Sequence, residues 1–154
     1  VCTGLFDDET ETPETYRPLL QAAALRGLKM ICANPDVMVE RGGRLIPCAG
    51  AVAQLYESLG QSVVYAGKPH RPIYEAAMAR LAEVRGGPVN TARILAIGDG
   101  LATDIDGAAR FGLSAIFIAS GLHVPPGADF GASVGELFAA AQQPPVGAMT
   151  ALAW

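Results

Sequence analysis

Residues 93–119 read RILAIGDGLATDIDGAARFGLSAIFIA and decide the fold class. The apolar runs at 93–97 and 114–119 have the length and composition of buried strands. Residues 104–111, between them, have the pattern of a short helix. Two strands joined through a helix form a parallel pair with a crossover connection. This stretch therefore predicts one unit of a parallel sheet that is covered by helices.

The same alternation of strand and helix patterns extends over the rest of the chain. Thr12-Pro13-Glu14 has the composition of a helix start, and Arg41-Gly42-Gly43-Arg44 has that of a hairpin tip. Further strands are expected at 1–6, 28–33 and 62–66, further helices at 13–24, 50–59, 71–84 and 134–141, and a proline-rich tail after them. The predicted fold class is α/β, with a largely parallel sheet.

Composition argues against some classes of function for this chain. The chain has 154 residues, 51% of them hydrophobic, and a net charge of −4 from 11 basic and 15 acidic side chains. Its basic residues are scattered, which argues against nucleic acid as a partner. Its apolar runs fall short of the roughly 18–20 residues of a membrane helix, so no membrane partner is expected. The three cysteines lack metal-ligand spacing, which favours reduced thiols and a cytoplasmic location. The chain starts at Val1 rather than Met, which suggests a piece of a longer protein.

The strand end at Gly98-Asp99-Gly100 is one candidate site. In open α/β sheets, ligands bind beyond the carboxyl ends of the strands. Asp99 follows an apolar strand directly and Asp104 stands five residues further on, so both carboxylates can converge on one Mg²⁺ ion. The alternative is that Asp104 and Asp106 only stabilise a helix N-terminus. We prefer the metal role for Asp99 and the helix role for Asp106.

The second candidate is Gly67-Lys68-Pro69, which follows a strand and precedes a helix. A lysine placed there can bind an anion together with the helix N-terminus, although a lone lysine is more often a solvated surface charge. The segment is not a P-loop, because Ser62 stands where the first glycine is needed. No G-x-G-x-x-G follows any strand, so a dinucleotide site is unsupported. Surface or satisfied polar roles are expected for His70 and His123.

Two longer motifs resemble those of a known family. Gly67-Lys68-Pro69-His70-Arg71-Pro72-Ile73-Tyr74 and Ile97-Gly98-Asp99-Gly100-Leu101-Ala102-Thr103-Asp104-Ile105 resemble motifs III and IV of the haloacid dehalogenase (HAD) superfamily. Ala33-Asn34-Pro35-Asp36 and Leu45-Ile46-Pro47-Cys48-Ala49-Gly50 are similar to the cap of its class IIA phosphatases, which include p-nitrophenyl phosphatase-like and pyridoxal phosphate phosphatase-like proteins. The resemblance implies a Rossmann-like core with a parallel sheet and an inserted α/β cap. Residues 1–66 would be part of that cap, and residues 67–154 the C-terminal half of the core.

The resemblance also implies an activity and a role for individual residues. The expected function is Mg²⁺-dependent hydrolysis of a small phosphorylated metabolite through an aspartyl-phosphate intermediate. Asp99 would hold the Mg²⁺, and Asp104 would support the metal or orient Lys68. Lys68 would pair with the nucleophile and the substrate phosphate. Substrate contacts would come from Asn34, Asp36 and Gly98, and the cap loop at 36–47 would select the leaving group.

One departure from the family pattern is large. The nucleophile of the family lies in a D-x-D-G strand, and those letters occur here only as Asp104-Ile105-Asp106-Gly107, inside motif IV and after no apolar strand. We therefore expect no nucleophile in this chain, a phosphatase as the parent protein and little activity of the chain alone. Exposed apolar surface with marginal stability, or self-association as a homo-oligomer, is also expected. The alternative is a catalytically incomplete module for binding or assembly. A nucleotide- or flavin-binding domain is a weaker third possibility.

Overall fold

The computed structural model describes residues 1–119, 123–124 and 127–152. It has an α/β fold with parallel strand pairing. The chain forms two compact units, Val1–Ile73 and Tyr74–Trp154. Each unit has its own hydrophobic core. None of the helices in the described ranges has the length and apolar character that crossing a bilayer requires.

The first unit contains a two-stranded parallel sheet and a separate hairpin. A 3₁₀ turn at Pro13–Tyr16 is followed by α1 (Arg17–Leu25), β1 (Met30–Cys32), β2 (Met38–Arg41), β3 (Arg44–Pro47), α2 (Ala49–Ser58) and β4 (Val63–Tyr65). Strand β1 pairs with β4, with Met30 opposite Val63. The core lies between α1 and α2 and contains Leu20, Val52, Leu55 and Tyr56. The helices expected at 13–24 and 50–59 are confirmed.

The hairpin of β2 and β3 turns at Gly42 and Gly43, as the sequence predicts. Arg41 pairs with Arg44 across the turn. Both glycines have positive φ, 60° and 77°, which is the backbone of a type I′ turn. Most side chains other than those of asparagine and aspartate would be strained at either position, so the Gly-Gly pair fixes the register of the hairpin.

The strand expected at residues 1–6 is wrong. Only Cys2 pairs with β1, in a single parallel bridge to Cys32. The Phe6 N–H donates instead to the hydroxyl of Tyr16 at 2.8 Å, and a turn follows in which the Glu9 N–H donates to the Asp7 carboxylate. Because the Phe6 amide binds a side chain, it is lost to strand pairing.

The second unit is built on a three-stranded parallel sheet. Helix α3 (Arg71–Arg85) leads into it, followed by a 3₁₀ turn at Thr91–Arg93, β5 (Leu95–Gly98), a π-helical turn at Leu101–Ile105, α4 (Asp106–Phe111), β6 (Ser114–Ile118), α5 (Phe130–Phe138) and β7 (Gly147–Met149). The strand order is β5-β6-β7. Strands β5 and β6 with α4 confirm the strand–helix–strand unit predicted from residues 93–119.

Two helix starts and one strand of the second unit differ from the prediction. Helix α4 begins at Asp106 rather than at residue 104, because the wide turn before it occupies residues 101–105. Helix α5 begins at Phe130, where the Asp129 carboxylate accepts the Ala132 N–H at 2.7 Å. The proline-rich tail contains a strand that the sequence does not predict, β7. The Val146 N–H and the Met149 carbonyl both bond to β6 and its continuation, at 2.8 Å each.

Several strands expose one apolar face. Leu95 and Ile97 of β5 are 46% and 44% exposed, whereas Phe117 of β6 is fully buried. Ile31 of β1 and Val64 of β4 are exposed to a similar degree. This agrees with the expectation of exposed apolar surface.

Candidate functional site

The loop after β5 is closed over Asp104. The Gly100 N–H donates to Oδ2 of Asp104 at 3.1 Å. A Cβ atom on Gly98 would overlap the carboxyl group of Asp104, and one on Gly100 would overlap Oγ1 of Thr103. A side chain at either position would therefore force the Asp104 carboxyl group or the Thr103 hydroxyl to move. The sequence motif Gly98-Asp99-Gly100 is explained by this geometry.

The π-helical turn returns Asp104 to the end of β5. The N–H groups of Asp104 and Ile105 both donate to the Gly100 carbonyl, at 2.8 and 3.0 Å. Ile105 is buried in the core of the second unit and anchors the far side of the turn. The loop thus carries Asp99 and Asp104 together at the carboxyl end of a parallel strand, where ligands bind in such sheets.

The donor set on this loop fits Mg²⁺. Asp99 and Asp104 supply carboxylate oxygens, which Mg²⁺ prefers. Over residues 1–119, 123–124 and 127–152, no cluster of three or more His, Cys, Asp or Glu side chains could hold a metal ion. One or two carboxylates, completed by water and substrate phosphate, are the usual protein contribution to a Mg²⁺ site.

Asp106 takes the helix role that we preferred for it. Its carboxylate pairs with Arg110 one turn along α4, at 2.6 Å, and both side chains are exposed. Such an exposed pair stabilises a helix by about 0.3–0.5 kcal/mol. Asp106 is therefore a useful control for the carboxylates of the loop.

In the first unit, Lys68 lies on a loop that packs against the end of β1. The Ala66 N–H donates to the Cys32 carbonyl and the His70 N–H donates to the Gly67 carbonyl, both at 2.9 Å. A Cβ atom on Gly67 would overlap the ring of Pro35. The backbone on either side of Lys68 is therefore fixed against the segment that follows β1.

Asn34 and Asp36 lie on that neighbouring segment. The Asp36 N–H donates to Oδ1 of Asn34 at 3.2 Å, a local turn that asparagine favours. The Asp36 carbonyl accepts the Gly50 N–H at 3.0 Å. Gly50 has no room for a side chain, because a Cβ atom there would overlap the Pro35 carbonyl. The segment is thereby held against the start of α2.

The site residues expected from the sequence thus fall into two groups. Asn34, Asp36 and Lys68 lie on adjoining loops of the first unit, and Gly98, Asp99 and Asp104 lie on one loop of the second. Sequence reasoning missed the stacking of Tyr65 on His70, which joins the two ends of the Lys68 loop. Two aromatic rings placed on either side of a Gly-Lys-Pro turn are the signal that could have revealed it.

Comparison with known proteins places these two loops in a family. The HAD-hydrolase-like family model matches residues 65–135, which include both loops. A haloacid dehalogenase-like hydrolase from Brucella suis is 60% identical, with a TM-score of 0.66 over 78% of this chain and 46% of that protein. The chain is thus similar to hydrolases of the haloacid dehalogenase superfamily. It is also similar to a p-nitrophenyl phosphatase (NPPase) from Geobacillus stearothermophilus, with 25% identity, a TM-score of 0.66 and coverage of 94% of this chain and 50% of that one.

A third similar protein is named as a phosphatase. The chain is 29% identical over 99 residues to the dihydroxyacetone phosphatase of Corynebacterium glutamicum, an alignment that covers 64% of this chain and 34% of that protein. The chain spans half or less of the length of each of these three proteins.

Proposed function

We propose that this chain is the metal- and phosphate-binding part of a class IIA HAD phosphohydrolase. The observation that carries the proposal is the loop after β5, where Asp99 lies between two glycines that pack against or bond to Asp104. The similarity to an NPPase and to a dihydroxyacetone phosphatase supports hydrolysis of a phosphate ester. In this proposal residues 1–66 are part of the cap and residues 67–154 belong to the core.

The chain's own residues divide the work of phosphoryl transfer. Asp99 holds the Mg²⁺, and Asp104 supports it while keeping the Gly100 amide fixed. Lys68, close to the start of α3, binds a phosphate oxygen and offsets negative charge that develops in the reaction. Bound Mg²⁺ would supply further neutralisation of the phosphate. Positioning and charge account for most of the catalysis of such transfers.

The nucleophile is proposed to come from polypeptide outside this sequence. The family mechanism needs an aspartate of a D-x-D-G strand to form the aspartyl-phosphate, and the sequence contains those letters only in the turn before α4. Asp106, the second aspartate of those letters and the first residue of α4, is already paired with Arg110. The chain alone should therefore bind Mg²⁺ and phosphate but turn over substrate very slowly.

The substrate is proposed to be a small phosphorylated metabolite. Residues 36–47 form the hairpin of β2 and β3 and the loop before it, which is anchored through the Asp36 carbonyl. We assign the choice of leaving group to this hairpin, with contacts from Asn34 and Asp36. Cys2, Cys32 and Cys48 are free thiols, which is in keeping with a cytoplasmic enzyme.

Binding experiments on the chain test this proposal. Mg²⁺ and inorganic phosphate are titrated while backbone amide signals are followed by NMR. We expect Mg²⁺ to shift the Gly98–Gly100 amides, Asp99→Asn to abolish the shift, and the control Asp106→Asn to retain it. We expect Lys68→Met to weaken phosphate binding, whereas Lys29→Met leaves it unchanged. Absence of Mg²⁺ binding, or rapid phosphatase turnover that Asp99→Ala removes, would contradict the proposal.

A second candidate is a binding or assembly module without catalysis. The exposed apolar faces of Leu95 and Ile97 on β5 favour it, because such faces mark contact surfaces. A module of this kind has no need of Mg²⁺. Unchanged amide signals on Mg²⁺ addition, together with a homo-oligomer in sedimentation, would support the module and exclude the phosphatase.

A further inference from the structure

The rings of Tyr65 and His70 stack on each other. Their centroids are 4.9 Å apart, and the ring planes are inclined by only 15°. Tyr65 is the last residue of β4, and His70 immediately precedes α3. Since the two rings meet, residues 66–69 must form a closed loop, and Lys68 lies within it.

Tyr65 is itself held from α2. Its hydroxyl donates to the Glu57 carboxylate at 2.9 Å. Burial, reinforced by this hydrogen bond, raises the pKa of Tyr65 to about 12. The phenol therefore remains a neutral donor at physiological pH, and Glu57 fixes the direction of the ring on which His70 rests.

The backbone of the same loop is fastened independently of the rings. The His70 N–H donates to the Gly67 carbonyl and the Ala66 N–H to the Cys32 carbonyl. Gly67 packs so closely on Pro35 that no side chain fits. These bonds hold the backbone of the loop at residues 66, 67 and 70, and the ring stack adds a side-chain contact at residue 70. The stack therefore restrains the loop in addition to these bonds.

We propose that His70 is a positioning residue that, by stacking on Tyr65, holds Lys68 in the conformation that binds phosphate. The proposal rests on the phosphate role given to Lys68 under the proposed function. His70 acts here through its ring face, so an aromatic ring of similar size should replace it. Stacked aromatic pairs change an equilibrium constant by about 2- to 13-fold.

The test compares His70→Leu, His70→Phe and the control Phe6→Leu in the full chain. Phe6 also stacks on a tyrosine, Tyr16, with centroids 6.5 Å apart, but it lies far along the sequence from the Lys68 loop. Two quantities are measured: the ¹⁵N order parameters of the Gly67 and Lys68 amides without ligand, and the dissociation constant of inorganic phosphate.

We expect His70→Leu to lower the order parameter of Lys68 and to weaken phosphate binding by about 2- to 13-fold. His70→Phe should restore both quantities, and Phe6→Leu should leave both unchanged. Unchanged order in His70→Leu would overturn the proposal whether or not phosphate binds. Failure of His70→Phe to restore order would also overturn it. Phosphate binding that is insensitive to Lys68→Met would instead contradict the proposed function and leave the order-parameter comparison intact.

Discussion

Replacing Gly98 by alanine should displace the Asp104 carboxylate. The added Cβ atom would overlap Cβ, Cγ and Oδ2 of Asp104. Two responses are open to the loop, and the cheaper one sets the cost. Keeping Asp104 in place requires an overpacked contact, at about 1–3 kcal/mol. Rotating it away breaks the hydrogen bond from the Gly100 N–H to a charged carboxylate, which costs about 1.5–3 kcal/mol.

The free energy of opening of the second unit should therefore fall by about 1–3 kcal/mol in Gly98→Ala. Native-state hydrogen exchange of the β6 amides measures this quantity without assuming that both units unfold together. Gly147→Ala is the matched control, because Gly147 lies in the same sheet and its Cβ atom would meet nothing within 4 Å. The control should change the free energy by no more than about 0.5 kcal/mol.

A double-mutant cycle identifies the cause. Asp104→Ala removes two of the three overlapping atoms, Cγ and Oδ2, so it should cost less in the Gly98→Ala background than in the parent chain. Mg²⁺ binding should weaken in Gly98→Ala as well, since the displaced carboxylate supports the metal. Equal exchange rates in Gly98→Ala and Gly147→Ala, or strictly additive effects in the cycle, would refute the reasoning.

Two further predictions concern the first unit. The raised pKa of Tyr65, about 12 against an ordinary 10.0, means that its folded form keeps a proton that the unfolded form loses. This stability is fully present below pH 10 and is lost as pH rises to about 12, so Tyr65→Phe should flatten the pH dependence of the unfolding free energy in this range. At the hairpin, Gly43→Val should cost about 1–2 kcal/mol, because φ is 77° there. Gly42→Asn, measured by the same urea unfolding, should be nearly neutral, since asparagine tolerates this conformation.

The sequence was sufficient to predict those elements that are determined by the residues within them. The apolar runs of β5 and β6 and the Gly42-Gly43 turn carry their own signals, and the structure confirms them. Strand β7 was not foreseen, because Gly147 and Ala148 have low strand propensity and are held by pairing with a distant strand.

Part of the candidate site could likewise be predicted from the sequence, and part of it could not. The positions of Asp99 and Lys68 after strands follow from the alternation of elements, and that alternation can be read from the sequence. The contact of Gly98 with Asp104 depends on the π-helical turn, in which two amides share the Gly100 carbonyl. The stacking of Tyr65 and His70 depends on the path of the loop between them. Neither the π-helical turn nor the course of this loop can be predicted from residue types alone.

The position of β7 in the chain has a consequence for synthesis. Strand β7 covers the edge of β6, yet α5 and its loops separate the two strands in sequence. At a translation rate of about 5–20 residues per second, β6 leaves the ribosome a few seconds before its partner. During that interval β6 presents an unpaired edge, and another nascent copy can pair with it. The yield of folded protein should therefore depend on how quickly the ribosome passes through the codons for residues 119–146.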